Sequence, residues 1–213
     1  MIKKVNKMAY IEIKDLKKTY KTGEIINTVL NNVNISIEEG ELAVIYGPSG
    51  AGKTTLLNLI GGLDTADEGS IIIGNQEINK LSIKQLNNYT KNNIGFIFQS
   101  YNLIQNLTAL ENVKIASELV NKHRDEIQIL EELGIKDKKD KMPFELSGGE
   151  QQRVAIARAL AKRSKILLCD EPIGALDYEN GKRILRCVTR CLQEGKNYSY
   201  NCYTQFGNKW NGR

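Results

Sequence analysis

No stretch of the 213-residue sequence approaches the roughly 18 consecutive apolar residues that a membrane-crossing helix needs. The amino terminus carries lysines with no apolar run behind them, so the sequence reads as neither secreted nor membrane-spanning by itself. Histidine occurs once, at His123, and the four cysteines, Cys169, Cys187, Cys191 and Cys202, lie in the last quarter without CxxC spacing. They read as reduced cytosolic thiols rather than as a metal site. Internal repeats, low-complexity linkers and blocks of one charge are also absent. The 30 lysines and arginines against 25 acids leave a net charge of +5 spread along the chain, which does not by itself imply nucleic acid. A hydrophobic share of 41% excludes wholesale disorder. The length excludes a multidomain machine and fits one domain with a lobe attached.

Alternation of apolar and polar residues marks strands at 10–13 and 33–37, each with one wet face, and these are expected to pair antiparallel. Residues 42–46, Leu-Ala-Val-Ile-Tyr, are continuously apolar, as a parallel strand covered on both faces would be. A helix is expected over 53–60, a turn and strand over 67–73, a helix over 80–88 and an apolar strand over 94–98. Helical spacing then runs through 107–133 as two or three helices, and another helix occupies 151–162. Residues 165–169 read as a buried strand that ends at Asp170-Glu171-Pro172.

Gly47-Pro48-Ser49-Gly50-Ala51-Gly52-Lys53-Thr54 fits the phosphate-binding pattern GxxxxGK[ST] and sits between an expected strand and an expected helix. Glycines let successive backbone N–H groups face a polyphosphate, and the helix start adds positive potential. Lys53 would reach the terminal phosphates and the Thr54 hydroxyl would ligate Mg²⁺. Asp170 and Glu171 end a strand whose edge is shared with that loop. Asp170 suits the metal shell and Glu171 suits a water to be activated, although helix-capping acids would look alike in sequence.

Leu146-Ser147-Gly148-Gly149-Glu150-Gln151-Gln152-Arg153 resembles the signature of the ATP-binding cassette (ABC) superfamily, and the likeness extends over roughly residues 11–195. The resemblance implies a P-loop NTPase core, α/β and RecA-like, with an antiparallel β subdomain and a helical signature subdomain at about 100–160. It implies a nucleotide-binding domain over 1–196, with ATP and Mg²⁺ as cofactors. Ser147, Gly148 and Gly149 would contact the γ-phosphate of ATP held by a second cassette, a homodimer mate or paralogue; a plain serine cap is the alternative. Thr55 belongs to the phosphate loop, and Tyr20 matches the aromatic that stacks on adenine, where sequence alone equally allows a half-buried strand tyrosine. Gln99 matches the glutamine that touches Mg²⁺ and water and couples to a membrane permease, where sequence alone gives a polar strand end. Asp177, in Gly174-Ala175-Leu176-Asp177, resembles the loop that crosses the dimer interface, with Ile173 in place of a common threonine. Residues 96–103 and 107–113 narrow the resemblance to macrolide-exporter and lipoprotein-releasing ATPases. Such a subunit would sit in the cytoplasm at the inner face of the bacterial membrane, beside a separate permease exporting a drug, antimicrobial peptide or lipoprotein, without nucleic acid. A hydrolysis-deficient remnant that only binds nucleotide and a soluble non-transport cassette are the rival readings.

The sequence departs from that pattern after Asp177. The family continues to a buried strand that ends in a histidine contacting the γ-phosphate, whereas this chain offers Asn197-Tyr198-Ser199-Tyr200-Asn201-Cys202-Tyr203-Thr204. Its polar alternation suits an edge strand. The one histidine, His123, reads as a solvated helix residue. Permitted codons for Lys196 onward, read one nucleotide forward, encode KTIVITVTHNLAISGMA, an apolar strand ending in Thr-His. A frameshift near Lys196 is therefore expected, with 197–213 an aberrant, poorly ordered tail.

Overall fold

The computed structural model describes residues 9–170, together with the backbone of 201–206. Two sheets organise the chain. In the first, β1 (Ala9–Thr22) pairs antiparallel with β2 (Ile25–Glu38), and β1 also pairs antiparallel with β4 (Glu68–Ile73), which turns back into β5 (Gln76–Glu77). Its order is β2-β1-β4-β5. The alternation read at 10–13 sets the register: Ile11 and Ile13 lie opposite Ile37 and Ile35 on one side and Ile73 and Ile71 on the other. Both are buried, and cross-strand apolar pairs of this kind stabilise sheets.

The second sheet is wholly parallel, with order β3-β8-β7-β6, from β3 (Leu42–Tyr46), β6 (Ile94–Ile97), β7 (Ile166–Asp170) and β8 (Asn201–Phe206). The expected α/β core and antiparallel subdomain are both present. Every residue of β7 is buried, as its unbroken apolar run requires. Its side chains divide by parity. Ile166 and Leu168 join a cluster with Ile11, Leu57, Ile60 and Ile71, while Leu167 and Cys169 join another with Ile97, Val113, Leu130 and Val154. One strand thereby cements the β-rich half to the helical half.

Helix α1 (Lys53–Gly61) follows β3, and α2 (Ile83–Asn93) precedes β6. The helical part holds α3 (Ala109–Ser117), α4 (Glu126–Glu132) and the longer α5 (Gly148–Ala161). Side-chain caps start four of these five helices: Ser82, Thr108, Asp125 and Ser147 each accept a backbone N–H at α2, α3, α4 and α5.

Three expectations are corrected. β3 is not covered on both faces: Leu42, Val44 and Tyr46 are exposed, and only Ala43 and Ile45 pack against the core. Among the described strands it forms the rim of its sheet, so its unbroken apolar run does not report two-sided burial. The carboxy-terminal strand is not at an edge, since β8 pairs in parallel with β3 and with β7 at once. Ladder bonds use backbone N–H and C=O groups whatever the side chains, and among the described strands β3 has no other partner. His123 is exposed as expected but lies in the connection before α4, because Asp125 starts that helix by accepting the N–H of Gln128 at 2.7 Å.

Lys162, at the end of α5, donates to the carbonyls of Ile94 (2.7 Å) and Thr90 (3.4 Å), bracing α5 against the junction of α2 and β6. Burial pushes its ammonium down to about 8 from lysine's ordinary 10.5. The unfolded chain therefore binds the extra proton between those two values, and folding gains stability as pH rises through that window. Relative to a Lys162→Met protein, the native chain is expected to gain roughly 2–3 kcal/mol from pH 8 to 10.5 and nothing below it. Urea titrations of both proteins across pH 7–11 measure this, and a flat difference would contradict it.

Candidate functional site

The loop after β3 turns into α1 through Gly50 (φ 79°) and Gly52 (φ 81°), both in the left-handed region. At Gly52 a Cβ would also lie 2.8 Å from Leu30 Cδ2 and 2.9 Å from the Val29 carbonyl oxygen, so position 52 admits glycine alone. Gly52 occupies the cap position of α1 and provides no side-chain cap, in contrast with the other four helices. The first N–H groups of α1 are thus left to an anion, which the helix dipole favours.

Lys53 is buried, and its ammonium donates to the carbonyls of Gly47 (2.9 Å) and Pro48 (2.7 Å). The charge is held inside the loop, where a polyphosphate would meet it. The Thr54 hydroxyl donates to Asp170 Oδ2 at 3.0 Å across 116 residues of sequence. β7 thereby delivers its terminal carboxylate onto the start of α1, as the shared sheet edge predicts. Two hard oxygen donors side by side suit Mg²⁺, which keeps few protein ligands and takes the rest from phosphate and water. The donor set fits that ion and not a protein-only cage, because no cluster of three or more His, Cys, Asp or Glu occurs among the described residues. Glu171 and Asp177 lie outside the described residues.

Tyr20, at the end of β1, stands beside the same loop, and a hydrogen bond with the Thr55 side chain is among the influences on its phenol. Its hydroxyl donates to Asp64 Oδ2 at 2.7 Å, and the Lys18 ammonium lies 5.0 Å from its ring centre while donating to Asp64 Oδ1 at 2.8 Å. Burial raises the phenol above its ordinary range, and the Asp64 hydrogen bond adds to that. Burial also opposes ionisation of Asp64, but hydrogen bonds from Lys18, Tyr20 and the Thr65 N–H outweigh it and hold the carboxyl below the usual range. Asp64 fixes the tyrosine ring against the loop, and nothing in the local pattern of 61–67 distinguishes it from a turn residue.

Gln99 follows β6 in a turn and is exposed. Ser147 caps α5 in a reciprocal box: its Oγ accepts the Glu150 N–H at 3.3 Å and Glu150 Oε2 accepts the Ser147 N–H at 2.8 Å. The Ser147 N–H, and after it the Ser147 hydroxyl, which also donates to Glu150 Oε2 at 2.8 Å, hold the Glu150 carboxyl below its ordinary range. Ser147 and Gly148 are exposed at the end of that helix. The loop from Gln99 to α3 is tied by Asn112, fully buried, which accepts the Ile104 N–H (2.8 Å) and donates to the carbonyls of Ile104, Leu107 and Thr108.

A glycine-rich turn between a parallel strand and an uncapped helix, closed by a carboxylate from a second parallel strand, defines a P-loop nucleotide-binding ATPase core. The chain belongs to the ABC transporter family, whose family model matches residues 30–174. It is 44% identical over 193 residues to the macrolide export ATP-binding/permease protein MacB of Mannheimia succiniciproducens, spanning 88% of this chain and 30% of that protein. It is 47% identical over 164 residues to the putative ABC transporter ATP-binding protein MG467 of Mycoplasma genitalium, 76% of this chain and 53% of that one. An uncharacterized ABC transporter ATP-binding protein of Methanocaldococcus jannaschii, MJ0796, is 45% identical over 86% of this chain and 82% of its own. A dimeric, post-hydrolysis structure of MJ0796 bound to ADP and Pi superposes with a TM-score of 0.84 at 39% identity, covering 92% of this chain and 87% of that one. The chain is an ATP-binding cassette of this family of ATPases, with ATP as its nucleotide.

Proposed function

We propose that this cassette hydrolyses ATP at a site completed by a second cassette placed head to tail, and that this drives a separate membrane permease exporting a drug, antimicrobial peptide or lipoprotein. The Thr54–Asp170 bond carries the reading, because it joins the start of α1, next to the glycine-rich loop, to the end of β7. Residues 47–55 bind the phosphates, with Lys53 as the principal cation and Tyr20 against the adenine. Thr54, Asp170 and Gln99 hold Mg²⁺, which screens the phosphate charge, and Glu171 orients the attacking water. Ser147, Gly148, Gly149 and Asp177 serve the partner's nucleotide: Ser147 and Gly148 stand exposed at the uncovered end of a capped helix, free to meet a neighbour. The permease is inferred from MacB, whose printed name joins both activities in a protein of which this chain spans 30%. No helix among the described residues is long and apolar enough to cross a membrane. Beside such a permease the cassette would sit at the cytoplasmic face of the membrane, where ATP is supplied.

The sequence after Asp177 favours a second reading, a remnant that binds nucleotide without turnover, because no histidine occurs there. The sandwich itself is tested with Glu171→Gln, which keeps the shape of the side chain and removes the water-orienting carboxylate. Sedimentation is expected to show a monomer without ATP and a dimer with it. A monomer in both, with ATP demonstrably bound and a permease supplied, would contradict the head-to-tail site.

A further inference from the structure

Five residues beyond the signature, Arg158 of α5 reaches back across more than fifty residues of sequence to the turn that follows Gln99. Its half-buried guanidinium donates to the Asn102 carbonyl at 2.6 Å and to the Tyr101 carbonyl at 2.8 Å. Both of those residues have left-handed backbone, Tyr101 at φ 54° and Asn102 at φ 50°. Two successive non-glycine residues in that region need outside support, and the planar fork of an arginine grips two carbonyls at once. Tyr101 also comes close to the start of α5: a Cβ at Gly148 would lie 3.1 Å from its hydroxyl oxygen, so glycine there leaves room for the ring. The turn is thus bonded to α5 at residue 158 and packs closely against it at residue 148, about 15 Å away along the helix. Asn112 secures its far end to α3 through the Ile104 N–H.

We propose that Arg158 is a positioning residue for the nucleotide site: it locks the turn at 101–102 to α5, so that the Gln99 loop and the start of the signature helix respond to nucleotide as one body. This rests on the reading of Gln99 as a group facing the nucleotide's metal and water. Arg158 touches neither phosphate nor metal; it acts through the backbone on which Gln99 is carried. The two contacts fall on residues 148 and 158, about three turns apart on the signature helix, so no local sequence pattern links either to Gln99.

Hydrogen–deuterium exchange on the full chain, with and without Mg²⁺-ATP, tests this. In the native chain ATP is expected to protect residues 47–55, 99–104 and 147–150 together. Arg158→Met keeps the apolar stem; it should leave ATP affinity within threefold and protection of 47–55 intact, while exchange at 99–104 rises at least tenfold and no longer responds to ATP. Arg158→Lys, which restores a cation but not the fork, should recover part of the response. A merely structural role would instead change exchange throughout α5 and would not be rescued by lysine. Unaltered ATP-dependent protection of 99–104 in Arg158→Met would overturn the proposal while leaving the nucleotide site in place. Absence of protection at 47–55 in the native chain would overturn the nucleotide reading and this role with it.

Discussion

Replacing the residues from Lys196 onward by KTIVITVTHNLAISGMA is expected to raise the melting temperature by about 10 °C and ATP turnover by about tenfold or more. The stability gain comes from the position of β8. It runs between β3 and β7, in the interior of a parallel sheet rich in isoleucine and leucine. The new sequence places isoleucine or valine at positions 198, 199, 200 and 202, and each such side chain that the sheet buries adds about 1.5–3 kcal/mol. In a chain of this size each kcal/mol moves the midpoint by about 2–4 °C. The gain in turnover has a separate cause. With the register of β8 kept, the new sequence sets a histidine at position 204, opposite Cys169 and one step from Asp170, at the sheet edge where the phosphate loop lies. A group there can hold the γ-phosphate and the attacking water in line. Scanning calorimetry and a phosphate-release assay on both proteins measure the two effects. Equal values in both would mean that 197–213 has a role of its own and that no reading frame was lost.

The parts of the molecule legible in the sequence are those written in short-range pattern. The phosphate loop is a contiguous string, and the run at 165–169 announced a buried strand, which β7 (Ile166–Asp170) is. The same inference failed for 42–46, because an unbroken apolar run records what a strand could bury, while Leu42, Val44 and Tyr46 stand exposed on a strand at the rim of its sheet. Polar alternation at 197–204 pointed to an edge, yet pairing is a property of the backbone, and β8 is inserted between two strands. Asp64, Asn112 and Arg158 were not legible for a different reason. Each acts through hydrogen bonds that are meaningful only once distant segments meet: Tyr20 with Asp64 across 44 residues, and Arg158 with Asn102 across 56. Ser147 was legible twice, as a cap and as a signature residue; the cap is present in the structure, and Ser147 and Gly148 are exposed.

Lys53→Ala is expected to weaken ATP binding by about tenfold to a hundredfold, from the loss of charge-assisted hydrogen bonds worth about 1.5–3 kcal/mol in a largely desolvated loop. Lys53 is 7% exposed and sits between the Gly47 and Pro48 carbonyls, so no other cation of the loop can take its place. Its removal also frees those carbonyls, which turn their negative ends toward the phosphates. The melting temperature without nucleotide should change little, because the apolar packing of α1 rests on Leu56, Leu57, Leu59 and Ile60 rather than on Lys53.

Calorimetric titration of Mg²⁺-ATP into the native chain and into Lys53→Ala, with the same titration at Thr54→Ala in the absence and presence of Mg²⁺, tests the site most directly. The expected result is one ATP per native chain, an affinity loss of about tenfold or more at Lys53→Ala, and a loss at Thr54→Ala confined to the Mg²⁺ arm. Native-like affinity in Lys53→Ala, or no ATP binding by the native chain, would contradict the assignment of residues 47–55 and Asp170 as the nucleotide site.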